Sequence, residues 1–425
     1  MHIQKFRYEL TRGLGSIILY LKETPALTYR HLDAIADACI RNTAYDPQCD
    51  GSREAYLWEV IQLSKASPIL QERILDALGG EVNGWDLLQV YRLAKIFASH
   101  GNPTAVEAMK RGFRYDEEWN CFIGGEEIIE AEGAQGFLFV AKEIGKRILS
   151  SGYEGDTFVW ESAKEFLGEE KAVALLKESA KDEKIQAFYQ SVLGDEDDYS
   201  LLNGRKALSY EEFKSSMKAG EKARYPYIVW GMRASKEDLL KAADDLLKEK
   251  NPKKLEAYLS IFVKPSFPLD PQKIIELAQS PNKRLRSAAI HALRNLKDER
   301  IHRLAVQLIC QRETEVEALE LFTLNYEEND LPLLERIAFK KHNKHSFHNM
   351  ELDMVNIFEK HPTASCQKIM IELYHKGLCS PCRRRAVEIM LANHILPASL
   401  RDEIRYDCNP DIRELWMKSA NAGLP

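Results

Sequence analysis

The stretch Ser280-Pro-Asn-Lys-Arg-Leu-Arg286-Ser-Ala-Ala289-Ile-His-Ala292-Leu293 decides the fold class. Leu285, Ala288, Ala289, Ala292 and Leu293 recur at helical spacing, so one face of this segment is small and apolar. The opening Ser-Pro sets a capping side chain before a proline, which suits the first helical position because the N–H there has no partner in any case. The same opening returns at Asn251-Pro252, Ser380-Pro381 and Asn409-Pro410, and once upstream at Asn102-Pro103. Ser235 adds a cap with Asp238 three residues on, followed by Leu239, Leu240, Ala243, Leu246 and Leu247.

Working outward, a second helix follows each first one. Ile301, Leu304, Ala305, Leu308 and Ile309 form one stripe; the next pair runs Val316, Leu319, Leu321, Phe322, then Leu331, Leu334, Ile337, Ala338. Further helices fit 349–360, 363–376, 381–393, 397–406 and 410–420. First helices therefore start near 251, 281, 313, 349, 380 and 409, at intervals of 29 to 36 residues. Two helices and two turns need about that many residues, and such a period signals an α-solenoid. The 280–293 segment resembles the first helix of a HEAT repeat, with its aliphatic-Arg pair and an alanine every third or fourth residue. Asp411-Ile412-Arg413 echoes the pair, with Trp416 where a small alanine is usual, and 298–308 and 330–338 are similar to second helices. The resemblance covers about 250–425 and implies a helical-hairpin solenoid, with second helices lining its concave side. It implies little about function.

The N-terminal half is helical but less regular. Apolar periods fit helices at 53–65, 68–78, 85–99, 103–112 and 137–149, while 113–160 is aromatic and punctuated by Gly124, Gly125, Gly133 and Gly136. No segment alternates strictly, so no sheet is expected. The acidic, polar run at 194–206 reads as an exposed linker. The expected organisation is an irregular helical region over 1–194, a linker or insertion over 195–234, and the repeat array over 235–425; a continuous superhelix with an insertion fits as well.

Totals bound the rest. A chain of 425 residues exceeds one compact core, and 45% hydrophobic content with a net charge of −6 is that of a folded protein, not of one coated in cations for nucleic acid. Residues 1–230 carry 28 Lys+Arg against 37 Asp+Glu, whereas 231–425 carry 31 against 28, so the halves face different surroundings. The longest early apolar run, Ile17 to Leu21, is too short for a signal sequence or a bilayer span. Eight scattered cysteines make no disulfide framework, which suggests a reducing cytoplasm.

Catalytic signatures are weak. Arg12-Gly-Leu-Gly-Ser16 lacks the strand and the G-K-[ST] of a phosphate loop. Cys379 and Cys382 form a C-x-x-C beside His375, with Cys366, His394 and Cys408 nearby in sequence. Zinc needs four ligands and no second tight pair supplies the rest, so these read as a helix–helix turn with no cofactor. His342, His345 and His348 read as a solvated inter-repeat loop, and Glu126, Glu127 and Glu130 as a solvated helix face. The four N-terminal tryptophans, Trp58, Trp85, Trp119 and Trp160, read as core or groove anchors.

A partner surface is the stronger expectation. Lys283 to Arg303 carries seven cations against two acids, and Arg303, Arg336, Lys340 and Lys341 fall on the polar faces of second helices. Arg286 and Arg413 read instead as contacts between repeats. Phe339 falls off the stripe of Leu334, Ile337 and Ala338, leaving two readings: a surface anchor, or a residue packed under the loop at 341–348. With Gln307 completing the ridge, the expected function is a non-catalytic scaffold or adaptor that binds a protein. The alternative is a nucleic-acid-binding or DNA-repair protein of the HEAT-like glycosylase type, although no segment here matches that site.

Overall fold

The computed structural model describes every residue except 25–28, 154, 193–207, 218–223 and 422–425. The linker expected at 194–206 thus lies outside the described residues. The chain is all-α: among the described residues there are 27 α-helices and one antiparallel pair of two-residue strands. No described helix is long and apolar enough to cross a membrane.

The chain divides into two compact units. The first takes Met1–Asp198, Leu378–Pro381 and Pro397–Pro425, and the second takes Tyr199–Gly377 and Cys382–Leu396. The last two helices therefore group with the N-terminal half rather than with an array running to the end of the chain.

In the first unit the helices are α1 (Ile3–Arg12), α2 (Ser16–Glu23), α3 (Leu32–Ile40), α4 (Pro47–Asp50), α5 (Glu54–Leu63), α6 (Ser67–Ala77), α7 (Gly84–Ser99), α8 (Ala105–Gly112), α9 (Gly125–Glu132), α10 (Ala134–Ser151), α11 (Thr157–Leu167), α12 (Glu169–Ser179) and α13 (Glu183–Val192). Helix α7 buries Leu87, Val90, Tyr91, Leu93, Ala94 and Phe97, which make one broad apolar face opposite Arg92. A broad apolar face lets one helix serve several neighbours, and α7 packs against α3, α5, α6, α8 and α9. The strand pair β1 (Tyr115–Asp116) and β2 (Cys121–Phe122) corrects the expectation of no sheet. It is too short to show a period of two.

In the second unit follow α14 (Tyr210–Ser216), α15 (Tyr225–Arg233), α16 (Lys236–Lys248), α17 (Pro252–Ile261), α18 (Gln272–Leu277), α19 (Lys283–Leu293), α20 (Glu299–Ile309), α21 (Leu319–Asn325), α22 (Leu331–Ala338), α23 (Lys344–Lys360), α24 (Gln367–Lys376) and α25 (Ser380–Ala392), the last starting within the first unit's segment. Alternate helices pack on one another: α15 on α17, α17 on α19, α19 on α21, α21 on α23, and likewise α18 on α20 and α22 on α24. The caps hold the expected pattern at Asn251, whose side chain accepts from the N–H groups of Lys253 and Lys254. At the next opening the cap shifts by two residues: Asn282, not Ser280, accepts from Arg284 and Leu285, and α19 starts at Lys283. Arg286 is buried and donates to the Ser280 carbonyl at 3.1 Å, bracing the entry to its own helix. Helix α23 starts at Lys344 because Asn343 accepts from the Ser346 N–H at 2.9 Å. His345 and His348 are therefore helical, which corrects the loop expected there.

The closing helices α26 (Ala398–Ile404) and α27 (Pro410–Asn421) pack in the first unit. The Cys408 N–H donates to the Gly13 carbonyl at 2.8 Å, and the Lys22 ammonium sits 3.8 Å from the centre of the Tyr406 ring. Gly13 has φ +69°, and a Cβ there would meet the Cys408 side chain. A Cβ on Gly15 would run into the Glu403 carbonyl oxygen. The Gly-Leu-Gly turn is thus a seat for the closing helices, which explains its glycines without any phosphate. Nearby, the buried Asp50 accepts from the Ser380 N–H at 2.9 Å, and Asn409 donates to the Ser380 hydroxyl at 3.3 Å.

Candidate functional site

The expected partner ridge lies in the second unit. Helix α20 buries Ile301, Leu304, Ala305, Leu308 and Ile309 and leaves Arg303 and Gln307 exposed one turn apart. On α22 the buried stripe is Leu334, Ile337 and Ala338, so Arg336 faces out, as do Phe339, Lys340 and Lys341 just beyond the helix. Phe339 is 46% exposed, which disagrees with its packing under the loop at 341–348.

The cations of this face are mostly committed. Arg303 pairs with Glu299 at 3.4 Å and Lys340 pairs with Glu315. Arg336 donates to the Ile309 carbonyl at 2.8 Å, tying α22 to the end of α20. Gln307 reaches Gln279 at 3.4 Å. Across the preceding basic run, Arg284 meets Glu256 at 3.4 Å, Arg294 meets Glu320 at 3.8 Å, and Arg300 meets Asp270 at 3.0 Å and Asp298 at 2.8 Å. Phosphate binding draws on uncompensated charge, and here carboxylates already neutralise much of it.

The cysteine motif is divided. Cys379 and Cys382 are both buried, Cys379 in the first unit's segment and Cys382 in the second unit. His348 on α23 places a ring nitrogen within 4.8 Å of the Cys382 sulfur. His375 sits at the end of α24, with its ring edge-on to that of Tyr374.

A site that the sequence marked only through Glu126, Glu127 and Glu130, read there as a solvated helix face, lies in the first unit. A cleft of ≈ 590 Å³ is walled by the turn after α4, the start of α5, one face of α7 and the first turn of α9. Glu54 opens α5, Arg92 sits on α7 and Glu127 on α9. The Arg92 guanidinium is 3.6 Å from a Glu54 carboxylate oxygen and 3.6 Å from one of Glu127. Both carboxylates are buried, whereas Arg92 is half exposed to the cleft. One turn along, Lys95 pairs with Glu130, so the two helices match cation to acid at the same spacing of three residues. The Lys95 wall separates this cleft from a second one of ≈ 590 Å³ that contains Ser99 and Asn102.

Burial sets the chemistry of Glu127. Loss of solvent pushes its carboxyl up to about 7, the Glu126 charge adds to the rise, and its own backbone N–H, Arg92 and Lys95 oppose it. This corrects the expected solvated face: Glu126 is exposed, but Glu127 is 2% exposed. The tight approach needs Gly124, with φ +95°, because a Cβ there would strike the Tyr91 ring. A carboxyl that titrates near neutrality beside a cleft can hold or pass a proton at physiological pH. Trp85 lines the same cleft and packs edge-on against Trp119 with ring centres 4.7 Å apart, a groove anchor of the kind expected. Among the described residues these carboxylates do not converge closely enough with a third ligand to hold a metal ion.

The sequence signal for this cluster was present but faint. Arg92 and Lys95 share one spacing with Glu127 and Glu130, yet nothing local shows that the two helices face each other. No protein-family profile matches the chain, and no curated protein or solved structure matches it.

Proposed function

We propose that the second unit is a HEAT-like helical-repeat array that binds a protein partner over the ridge of α20 and α22. The packing of alternate helices and the recurrent capped openings support the repeat reading. The observation that carries the binding reading is Phe339, a large aromatic side chain 46% exposed beside Lys340 and Lys341. Aromatic residues, Phe among them, are enriched in the buried centre of protein–protein interfaces. The neutralised cations favour a protein over a phosphate backbone, because a protein surface can accept paired charges at the rim of a contact. The reading is of a non-catalytic adaptor surface.

Phe339→Ala tests it. Exposed substitutions usually move stability by less than ~0.5 kcal/mol, whereas emptying a buried aromatic site costs roughly 3–5 kcal/mol. The expected result is an unchanged melting temperature together with loss of the partners that the unaltered chain captures from its native lysate. Capture that survives the substitution would remove this ridge from consideration.

A further inference from the structure

Within the second unit, three side chains from two helices join in one polar chain. The Ser287 hydroxyl lies 3.4 Å from Nε2 of His291, and Nδ1 of the same ring lies 2.7 Å from Oε2 of Glu320. Ser287 and His291 are one turn apart on α19, and Glu320 stands in the first turn of α21, packed beside it. The carboxylate fixes the ring: a proton on Nδ1 donates to Glu320, which leaves the Nε2 lone pair facing the serine hydroxyl. A nucleophile, a base and a group that orients the base are thus connected in the order acyl transfer requires, a constellation defined by geometry rather than by sequence position.

The surroundings fit that use. Ser287 and His291 are half-buried, so a small molecule can reach both, while Glu320 is more enclosed. Arg294, one further turn along the same face, brings a cation 3.8 Å from Glu320. The nearby Asp353 is buried, and burial together with the Glu320 charge holds its carboxyl well above the usual range.

We propose that Ser287, His291 and Glu320 form an acyl-transfer site for small, solvent-accessible carboxylic esters. The Ser287 oxygen adds to the ester carbonyl carbon as its proton passes to His291 Nε2. The carbon–alkoxide bond then breaks, and the departing alkoxide takes that proton from Nε2, leaving an acyl ester on Ser287. Water attacks the acyl carbon, gives its proton to Nε2, and the serine oxygen recovers it as the carboxylic acid leaves. One ester and one water are consumed, an alcohol and a carboxylic acid are released, and both side chains are regenerated. Glu320 is a positioning residue, because it acts through the ring of His291.

A fluorophosphonate probe tests the site on the full chain. The Ser287 oxygen forms a bond to phosphorus, the phosphorus–fluorine bond breaks, fluoride leaves and the proton goes to His291. Mass mapping of the unaltered protein is expected to place the label on Ser287. In His291→Gln the labelling rate should fall about 100-fold or more, the scale on which a positioned base acts. Glu320→Gln should also slow it, while Glu320→Asp, which keeps the carboxylate, should restore most of the rate. Unlabelled Ser287 in the unaltered protein, or equal rates in folded His291→Gln, would reduce the chain to a side-chain staple on α19 and overturn the proposal. If His291→Gln fails to fold, mapping on the unaltered protein decides by itself.

Discussion

Glu127→Gln is expected to stabilise the protein at pH 8 by roughly 3 kcal/mol and to change it little at pH 4. The sign follows from the direction of the shift. In the unfolded chain this carboxyl titrates near 4.5, and in the folded chain burial holds it near 7. Below pH 4.5 both states keep the proton, so the group makes no difference to the balance. As pH rises from 4.5 to 7 the unfolded state ionises first, and stability is lost across that window. Above about 7 the loss is complete, because the folded chain must then bury the charge. Glutamine keeps the shape and removes the ionisation, so urea unfolding at pH 4, 6 and 8 should show a gap that opens with pH. Arg92 is half exposed and loses little when its second partner becomes neutral, since solvent screens it. Parallel stability curves for the two proteins would show that Glu127 carries no such strain.

The second large effect is expected at the glycine turn. Gly15→Ala should cost about 3 kcal/mol or more, because its Cβ would occupy the place of the Glu403 carbonyl oxygen. A backbone atom cannot swing away as the tip of a long side chain can. The closing helix α26 must then shift, and the bond from the Cys408 N–H to the Gly13 carbonyl is strained with it. Gly152→Ala is the matching control: its Cβ would meet nothing within 4 Å, and only its left-handed φ of +68° opposes the change. That conformational cost is about 1 kcal/mol. Equal losses at both positions in thermal unfolding would mean that the closing helices do not rest on Gly15.

Much of the local structure was legible because its causes are local. The cap at Asn251 accepts from groups two and three residues away, and the stripe of α20 repeats within three turns. Even the errors were local. Ser280 and Asn282 both cap well, and it is Asn282 that accepts from the Arg284 and Leu285 N–H groups. His345 and His348 looked like loop residues because their polar neighbours also suit a helix end, where Asn343 in fact serves as the cap.

What the tertiary structure decided is which distant residues meet. By itself the sequence determined a predominantly helical chain, several of its helix caps and the apolar face of most of its helices, since propensity, capping and periodicity act over a few residues. It did not determine that Cys408 would bond to Gly13, almost the whole chain away, or that α26 and α27 would join the first unit. Nor did it separate Glu127 from Glu126: the two are alike as neighbours on a short polar helix, and only the packing of α9 against α7 buries one and leaves the other in water. Burial is a property of what covers a residue, so the same carboxyl is an ordinary surface acid or a group near neutrality according to contacts that no local pattern encodes.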